Sequence, residues 1–377
     1  MYSKKLNILF VLALATLMVF ACDKQSPFEP DQGPTVDFGA YSPESNGLPA
    51  VDVMTWNIYV GADVDKIVEA AAQDPPDPNA VMKAVDIAYK ELLATNFEER
   101  AETIAKFIAD RKPHLIGLQE ISLIQRFSAE FIPLESFDYL EILQNKLAGL
   151  GLDYKLAGKL DNADVTLPRL TDDYQLEYVR LLDSDVVLAR GDVEIADVET
   201  AHYQYYLSIP GLDIPRGYVA MSATIGLRTY RFVNTHLESA VEELRLAQAA
   251  ELAGVLGGVT LPIIMVGDFN TYAPTPTTAD PGTVYKYLVN GLEEPYTDIW
   301  LNNQVGNEGA GYTAPHDSDL RNPVPHLDRR IDLILLRGAN QIGPVQAFVL
   351  GDDLNERTSS GMWPSDHAGV FAKLHIK

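Results

Sequence analysis

Apolar residues in this chain collect in short unbroken runs, and several of these runs end on a polar residue with useful chemistry. Ile263-Ile264-Met265-Val266 passes without interruption into Gly267, the pattern of a strand buried on both faces that stops abruptly, and Asp268 and Asn270 lie just past its end. His114–Gln119 is a second such strand and closes on Glu120. Ile331–Leu336 is a third, with Asp332 at its second position, an expensive place for a charge unless it is paired. Val51–Gly61 (VDVMTWNIYVG) begins as a strict alternation and carries Asn57 near its end. Asp185–Arg190 supplies a further strand, and Val219–Asn234 reads as a hairpin that turns near Leu227-Arg228 and delivers His236 at its exit. Asp366 and His367 precede a closing strand over Val370–Leu374.

Between these runs the spacing becomes that of helices. Residues 64–112 read as helical: Asn79 is placed to cap a segment whose Val81, Val85, Ala88 and Leu92 share one face, and a second segment presents Ala101, Ile104, Phe107 and Ile108 before Pro113 stops it. A further helix carries Val241, Leu244, Ala247, Gln248 and Leu252 and ends at Gly257-Gly258. Residues 121–182 mix helix-like and irregular stretches, and Leu160–Tyr178, with its turn residues and charges, reads as a surface excursion. Thr271–Thr283 and Asn302–Leu327 are long enough to be functional rims, with His316 and His326 expected at the surface.

Composition narrows the class. The chain has 377 residues, 47% of them hydrophobic, enough for a large core. Its 53 acidic residues against 29 basic ones give a formal charge of -24, which repels a polyphosphate backbone at long range and disfavours a high-affinity, non-specific nucleic-acid binder. A metal-dependent nuclease stays open, because bound cations offset carboxylates locally. Residues 1–21 have the charged start and apolar run of an export signal, and Val19-Phe20-Ala21-Cys22 resembles a bacterial lipobox, with Phe20 bulkier than that pattern usually holds. Acylation at Cys22 would anchor the chain to a membrane as an exported lipoprotein, with residues 22–49, rich in Pro, Gly, Ser and acids, as a flexible tether. With one cysteine in the chain, disulfides and cysteine-ligated zinc are excluded from the body.

The strand-end residues Asn57, Glu120, His236, Asp268, Asn270, Asp332, Asp366 and His367 form an oxygen-rich set with no thiol. Such donors suit hard cations, Mg²⁺ or Mn²⁺. A phosphate ester is the substrate this kit fits, with either Asp268 or a histidine oriented by a carboxylate as the base for water. The chain carries no GxSxG elbow, Walker phosphate loop or HExxH helix.

In this order, TWN (55–57), LQE (118–120), NTHL (234–237), GDFN (267–270), RID (330–332) and SDH (365–367) resemble the motifs of the endonuclease/exonuclease/phosphatase superfamily. The resemblance implies a four-layer α/β sandwich of two packed mixed sheets flanked by helices, occupying residues 50–377. It implies a metal group of Glu120, Asn57 and Asp366. It further implies that Asp268 positions or deprotonates water, that Asn270 and His236 hold the phosphate or assist the leaving oxygen, and that Asp332 orients an essential His367. The expected activity is hydrolysis of a phosphodiester, a phospholipid headgroup or another small diester. A surface nuclease is the alternative, and a non-catalytic binding lipoprotein the third reading.

The sequence departs from the superfamily in places. Tyr59 stands where abasic-site nucleases carry an aspartate, and Ser184 occupies the place of a glycine. Tyr203, Tyr205 and Tyr206 are the candidates for the active-site tyrosine of some members, with packing the expected role of each. Arg169, Arg180, Arg216 and Arg321 are too scattered along the chain to mark a basic groove.

Overall fold

In the computed structural model, which describes residues 50–376 except 74–76, 210–211, 306–308, 340–341 and 344, the run from Val51 forms a strand over Ala50–Asn57 (β1) with every residue from Val51 onward buried. The export segment and tether read from the sequence lie outside the described residues. Three helices follow, over Asp65–Ala71 (α1), Pro78–Ala94 (α2) and Phe97–Arg111 (α3). The cap of α2 is Asp77, not Asn79: the Asp77 side chain accepts the Asn79 backbone N–H at 2.9 Å, and Pro78 opens the helix, where its missing N–H costs nothing. Lys112, at φ 47°, closes α3 just before Pro113.

The next stretch holds Leu115–Gln119 (β2), Leu123–Ser128 (β3), Pro133–Asp138 (β4), a helix over Tyr139–Gly149 (α4), then Tyr154–Leu170 (β5) and Leu176–Arg190 (β6). The presumed surface excursion over Leu160–Tyr178 is therefore the outer half of a long antiparallel hairpin, paired from Tyr154↔Arg190 to Leu170↔Leu176. Its two-residue period is present as Ala163, Val165 and Leu167 against Asp164 and Thr166. Charges on the solvent side, a register shift between Asp161 and Asp164, and Pro168 conceal it.

The remaining strands are Glu194–His202 (β7), Leu207–Ile209 (β8), Leu212–Ile214 (β9), Gly217–Ile225 (β10), Arg228–His236 (β11), Ile263–Asp268 (β12), Thr297–Asp298 (β13), Asn303–Val305 (β14), Asp332–Arg337 (β15), Val345–Leu350 (β16) and Gly369–His375 (β17), with Glu242–Leu256 (α5) ahead of β12. The β10–β11 hairpin turns at Gly226-Leu227, one residue earlier than the pattern predicts, because Gly226 takes the left-handed conformation at φ 61°.

Two sheets result. One runs β14-β16-β17-β1-β2-β6-β3-β4, with β5 on β6, and the other β13-β15-β12-β11-β10-β7. Val53, Val187, Met221, Phe232, Ile264, Val266 and Ala372 pack between them. On the outer face of the first sheet Trp56 and Leu118 meet Ile104 and Leu143 of α3 and α4, and on that of the second Val233 and Met265 meet Leu252 and Leu256 of α5. This is the four-layer α/β sandwich expected from the sequence. Each fully buried aliphatic contributes about 1.5–3 kcal/mol, so the inter-sheet layer fixes how the two sheets' edges face each other.

Candidate active site

Register brings the polar residues into line. Asp268 at the end of β12 pairs with His236 at the end of the parallel β11 and with Asp332 at the start of the antiparallel β15, and His236 pairs in turn with Gly217 at the start of β10. In the other sheet, Asn57 at the end of β1 pairs with Gln119, immediately before Glu120. Parallel strands arrive with their C-terminal ends and antiparallel ones with their N-terminal ends, so segments distant in sequence share one edge. Gly267 serves close packing inside β12 rather than a turn: a Cβ there would lie 1.9 Å from the Thr235 carbonyl oxygen. Glu120 and Asn270, just past strand ends, hold φ of 59° and 48°, a strained backbone that aims their side chains back toward the edge.

The Asn57 amide ties the two edges together at the site. Asn57 Nδ2 donates to Glu120 Oε1 at 2.9 Å and to Asp268 Oδ2 at 3.3 Å, while Asn57 Oδ1 accepts the Tyr59 N–H at 3.0 Å and keeps a second lone pair. The other oxygen of Glu120 accepts from Val60 N at 2.9 Å. Ser365 Oγ donates to the Asn57 carbonyl at 2.7 Å and lies 3.3 Å from Asp366 Oδ1, tying the Asp366-His367 segment to the same point. Burial, with Asp183 adding to it, raises the pKa of Glu120. Burial, with Glu120 adding to it, pushes Asp366 up to about 7 against the pull of His367. Neighbouring half-buried carboxylates that raise each other's pKa form a donor set that a hard divalent cation relieves, so Glu120, Asp366 and the second lone pair of Asn57 Oδ1 fit Mg²⁺ or Mn²⁺.

Beside this group lies a proton relay. His367 Nδ1 is 2.9 Å from Asp332 Oδ2 and its Nε2 3.9 Å from Asp268 Oδ2. Burial alone would lower the His367 pKa, but Asp332, Asp366 and Asp268 outweigh it and hold the ring as imidazolium. Asp268 is raised to about 6 by burial and by Asp332 opposite. Asp268, Asp332 and His367 also place ligand atoms within 4.8 Å of one another. His367 Nδ1 is already engaged with Asp332, an arrangement suited to holding and passing a proton between the ring and the two carboxylates.

Across the pocket, His236 has the opposite charge state. Its Nδ1 lies 2.9 Å from Arg216 Nη1, and a guanidinium only donates, so Nδ1 accepts and Nε2 carries the hydrogen, directed at Asp268 Oδ2 3.5 Å away. Burial, with help from Arg216 and His367, keeps this ring neutral. Asn270 donates its backbone N–H to Asp268 Oδ1 at 2.9 Å and its side-chain N–H to the Leu237 carbonyl at 2.9 Å. All eight strand-end residues singled out from the sequence thus gather around one point.

Sequence reasoning missed a second tier. Arg216 is largely buried, 3.6 Å from Asp183, and Asp185 lies 3.9 Å from His236. Asn162 Nδ2 bridges Asp183 and Asp185 at 3.3 and 2.9 Å. The signal was available: Asp183 and Asp185 interrupt an apolar strand as Asp332 does, and a charge there demands a partner. His316 is not a surface residue. It is 4% exposed, stacks on Trp363 at 4.1 Å, and donates its backbone N–H to the Asp366 carbonyl at 2.7 Å. With Thr313, whose hydroxyl accepts from Asp332 N at 3.2 Å, it makes the long 302–327 loop a support for the relay. His326 is exposed, as expected, whereas Tyr205 and Tyr206, expected to pack, are exposed as well. Tyr203 is buried, with its hydroxyl 2.7 Å from Thr235 Oγ1.

The model of the Endonuclease/Exonuclease/phosphatase family matches residues 54–367, from the first of these strands to the relay histidine. The chain belongs to that family. Members of the family are in general phosphoesterases and nucleases, typically with a divalent metal. No curated protein sequence matches the chain. Among solved structures, an endonuclease/exonuclease/phosphatase family protein from Leptotrichia buccalis C-1013-b aligns with TM-score 0.55 at 15% identity, over 87% of this chain and 99% of its own. The endonuclease/exonuclease/phosphatase from Bacteroides vulgatus gives 0.52 at 17%, over 87% and 100%. The mannosyl-6-phosphatase of Bacteroides thetaiotaomicron VPI-5482 gives 0.50 at 16%, over 86% and 99%. At such identities the likeness establishes the endonuclease/exonuclease/phosphatase fold.

Proposed function

We propose that this endonuclease/exonuclease/phosphatase protein is a divalent-cation-dependent phosphodiesterase acting on a phospholipid headgroup or a comparable small diester. The observation that carries the reading is the single Asn57 amide joining Glu120 to Asp268, with Asp268 facing a His367 held by Asp332. Glu120, Asp366 and Asn57 are the residues to hold Mg²⁺ or Mn²⁺, which when bound neutralises phosphoryl oxygens and a developing negative charge.

The chain's own groups divide the remaining work. Asp268, ionised above about pH 6, takes the proton of the attacking water. His367, whose proton the surrounding carboxylates help retain and whose ring plane Asp332 fixes, donates to a phosphoryl oxygen or to the leaving oxygen. His236, neutral with Nε2–H pointing inward, and Asn270 hold the phosphate's remaining oxygens without adding charge.

Charge supports a diester that is not a long polyanion. Arg180 is paired with Asp164 at 2.7 Å, Arg169 with Glu177 at 3.0 Å, and Arg216 is enclosed by carboxylates, so three of the four candidate groove arginines are already engaged. Export and anchoring through acylated Cys22 would place the enzyme at a bacterial membrane. The deciding assay is hydrolysis of bis-p-nitrophenyl phosphate with Mg²⁺ or Mn²⁺. Activity that survives EDTA or His367→Ala would remove the mechanism, and plasmid DNA cleaved faster than small diesters would favour the nuclease.

A further inference from the structure

An aliphatic pocket adjoins the cation group. Its cavity is about 150 Å³, an order of size at which a dry apolar cavity accepts a benzene-sized guest. One wall is the inner face of the β5–β6 hairpin, where Val165 and Leu167 oppose Val179 and Leu181. Ile67 of α1 and Ile214 of β9 close the sides. Each of these four hairpin side chains is only half-buried. At the other end the lining changes to Glu120, Asp183 and Arg216. The pocket is thus continuous with the candidate active site through Glu120, apolar along its length and charged at its mouth.

Among the described residues no phenylalanine, tyrosine or tryptophan contributes to the lining. A nucleobase is recognised by stacking on aromatic faces and by edge hydrogen bonds, and this surface offers the first not at all and the second only at the mouth. Branched aliphatic walls suit a flexible hydrocarbon instead. We infer that the pocket receives the aliphatic chain of an amphiphilic phosphodiester whose phosphate lies at Glu120, an inference that rests on the phosphodiesterase reading for the placement of the phosphate. The substrate class is then an alkyl or acyl phosphodiester, with about six carbons of one chain sheltered beside the cation group.

The test is a binding series read separately from turnover. Methyl, butyl, hexyl and octyl phosphate are titrated into the full chain in Mg²⁺ buffer by calorimetry, and bis-p-nitrophenyl phosphate hydrolysis is measured on the same preparation. Each added methylene should tighten binding about two- to fourfold, at least about thirtyfold from methyl to hexyl, with a plateau beyond. Ala163→Phe, which fills the pocket from β5, should bring the hexyl-to-methyl ratio close to one. Val165→Asn is the second variant should the first fail to fold, as its melting temperature will report. Equal binding of methyl and hexyl phosphate by the unaltered chain, or a gradient that persists in a folded pocket variant, overturns the inference. A gradient without diester hydrolysis would instead overturn the catalytic reading and leave the pocket assignment standing.

Discussion

Asp332→Asn separates the relay from the fold. The carboxylate is buried, 2.9 Å from His367 Nδ1 and directly opposite Asp268 across the β12–β15 pair. An amide of the same shape keeps the packing but removes the charge that most favours the imidazolium, and it can present an N–H where the ring needs an acceptor. Loss of the orienting aspartate in a comparable hydrolytic triad costs about 10⁴ in kcat. A loss of about 10²–10⁴ is expected here, or roughly 2.7–5.5 kcal/mol of transition-state stabilisation. Stability should fall by no more than about 3 kcal/mol, because the ring that loses its buried partner can release its proton and the like charge of Asp268 opposite is relieved. The assay is steady-state hydrolysis of bis-p-nitrophenyl phosphate with saturating Mg²⁺, paired with urea unfolding of the same preparation. A kcat within tenfold of the unaltered protein would refute the relay, and a parallel collapse of stability would show Asp332 to be structural.

Glu120→Gln should abolish the rise in melting temperature that Mg²⁺ produces in the unaltered protein and lower kcat at least about a hundredfold; a retained thermal shift would place the cation elsewhere. The rate should climb as pH rises through about 6, where Asp268 loses its proton, so a rate falling across that window would exclude Asp268 as the base. Asp366, raised to about 7 from an unfolded value of 3.8, makes the metal-free fold lose stability as pH rises through about 7, so Mg²⁺ should stabilise more at pH 8 than at pH 5; equal thermal shifts would contradict this. Arg330→Met leaves Asp298 buried after losing a two-pronged pair at 2.6 and 3.1 Å, and should cost about 3–5 kcal/mol in urea unfolding; a loss below 1 kcal/mol would refute that estimate.

The legible part of this protein was its strand ends. A run of apolar residues that stops at Asp268, Glu120 or His236 states both that a strand is buried and where it surfaces, so the edge could be drawn before the register was known. The odd position of Asp332 announced a partner, and His367 is that partner. Illegible were groups whose burial depends on distant elements. Asp183 and Asp185, charges inside an apolar strand, called for a partner as Asp332 did, but nothing in the sequence said that Arg216, just ahead of β10 in the other sheet, would be it. His316 failed for a related reason: a loop rich in Gly, Asn and Pro reads as solvent-facing, yet its backbone hydrogen bonds run inward to Asp366 and Arg329.

Ser365 reaches Asn57 across 308 positions of chain. A growing polypeptide can therefore complete β1, β2 and every strand of the second large sheet and still lack Asp366 and His367. No proteolytic or prematurely terminated piece that stops short of that histidine carries a dormant version of the chemistry. Recovery of activity after dilution from denaturant should accordingly report the docking of the final strand against β1, a pairing between the two ends of the domain.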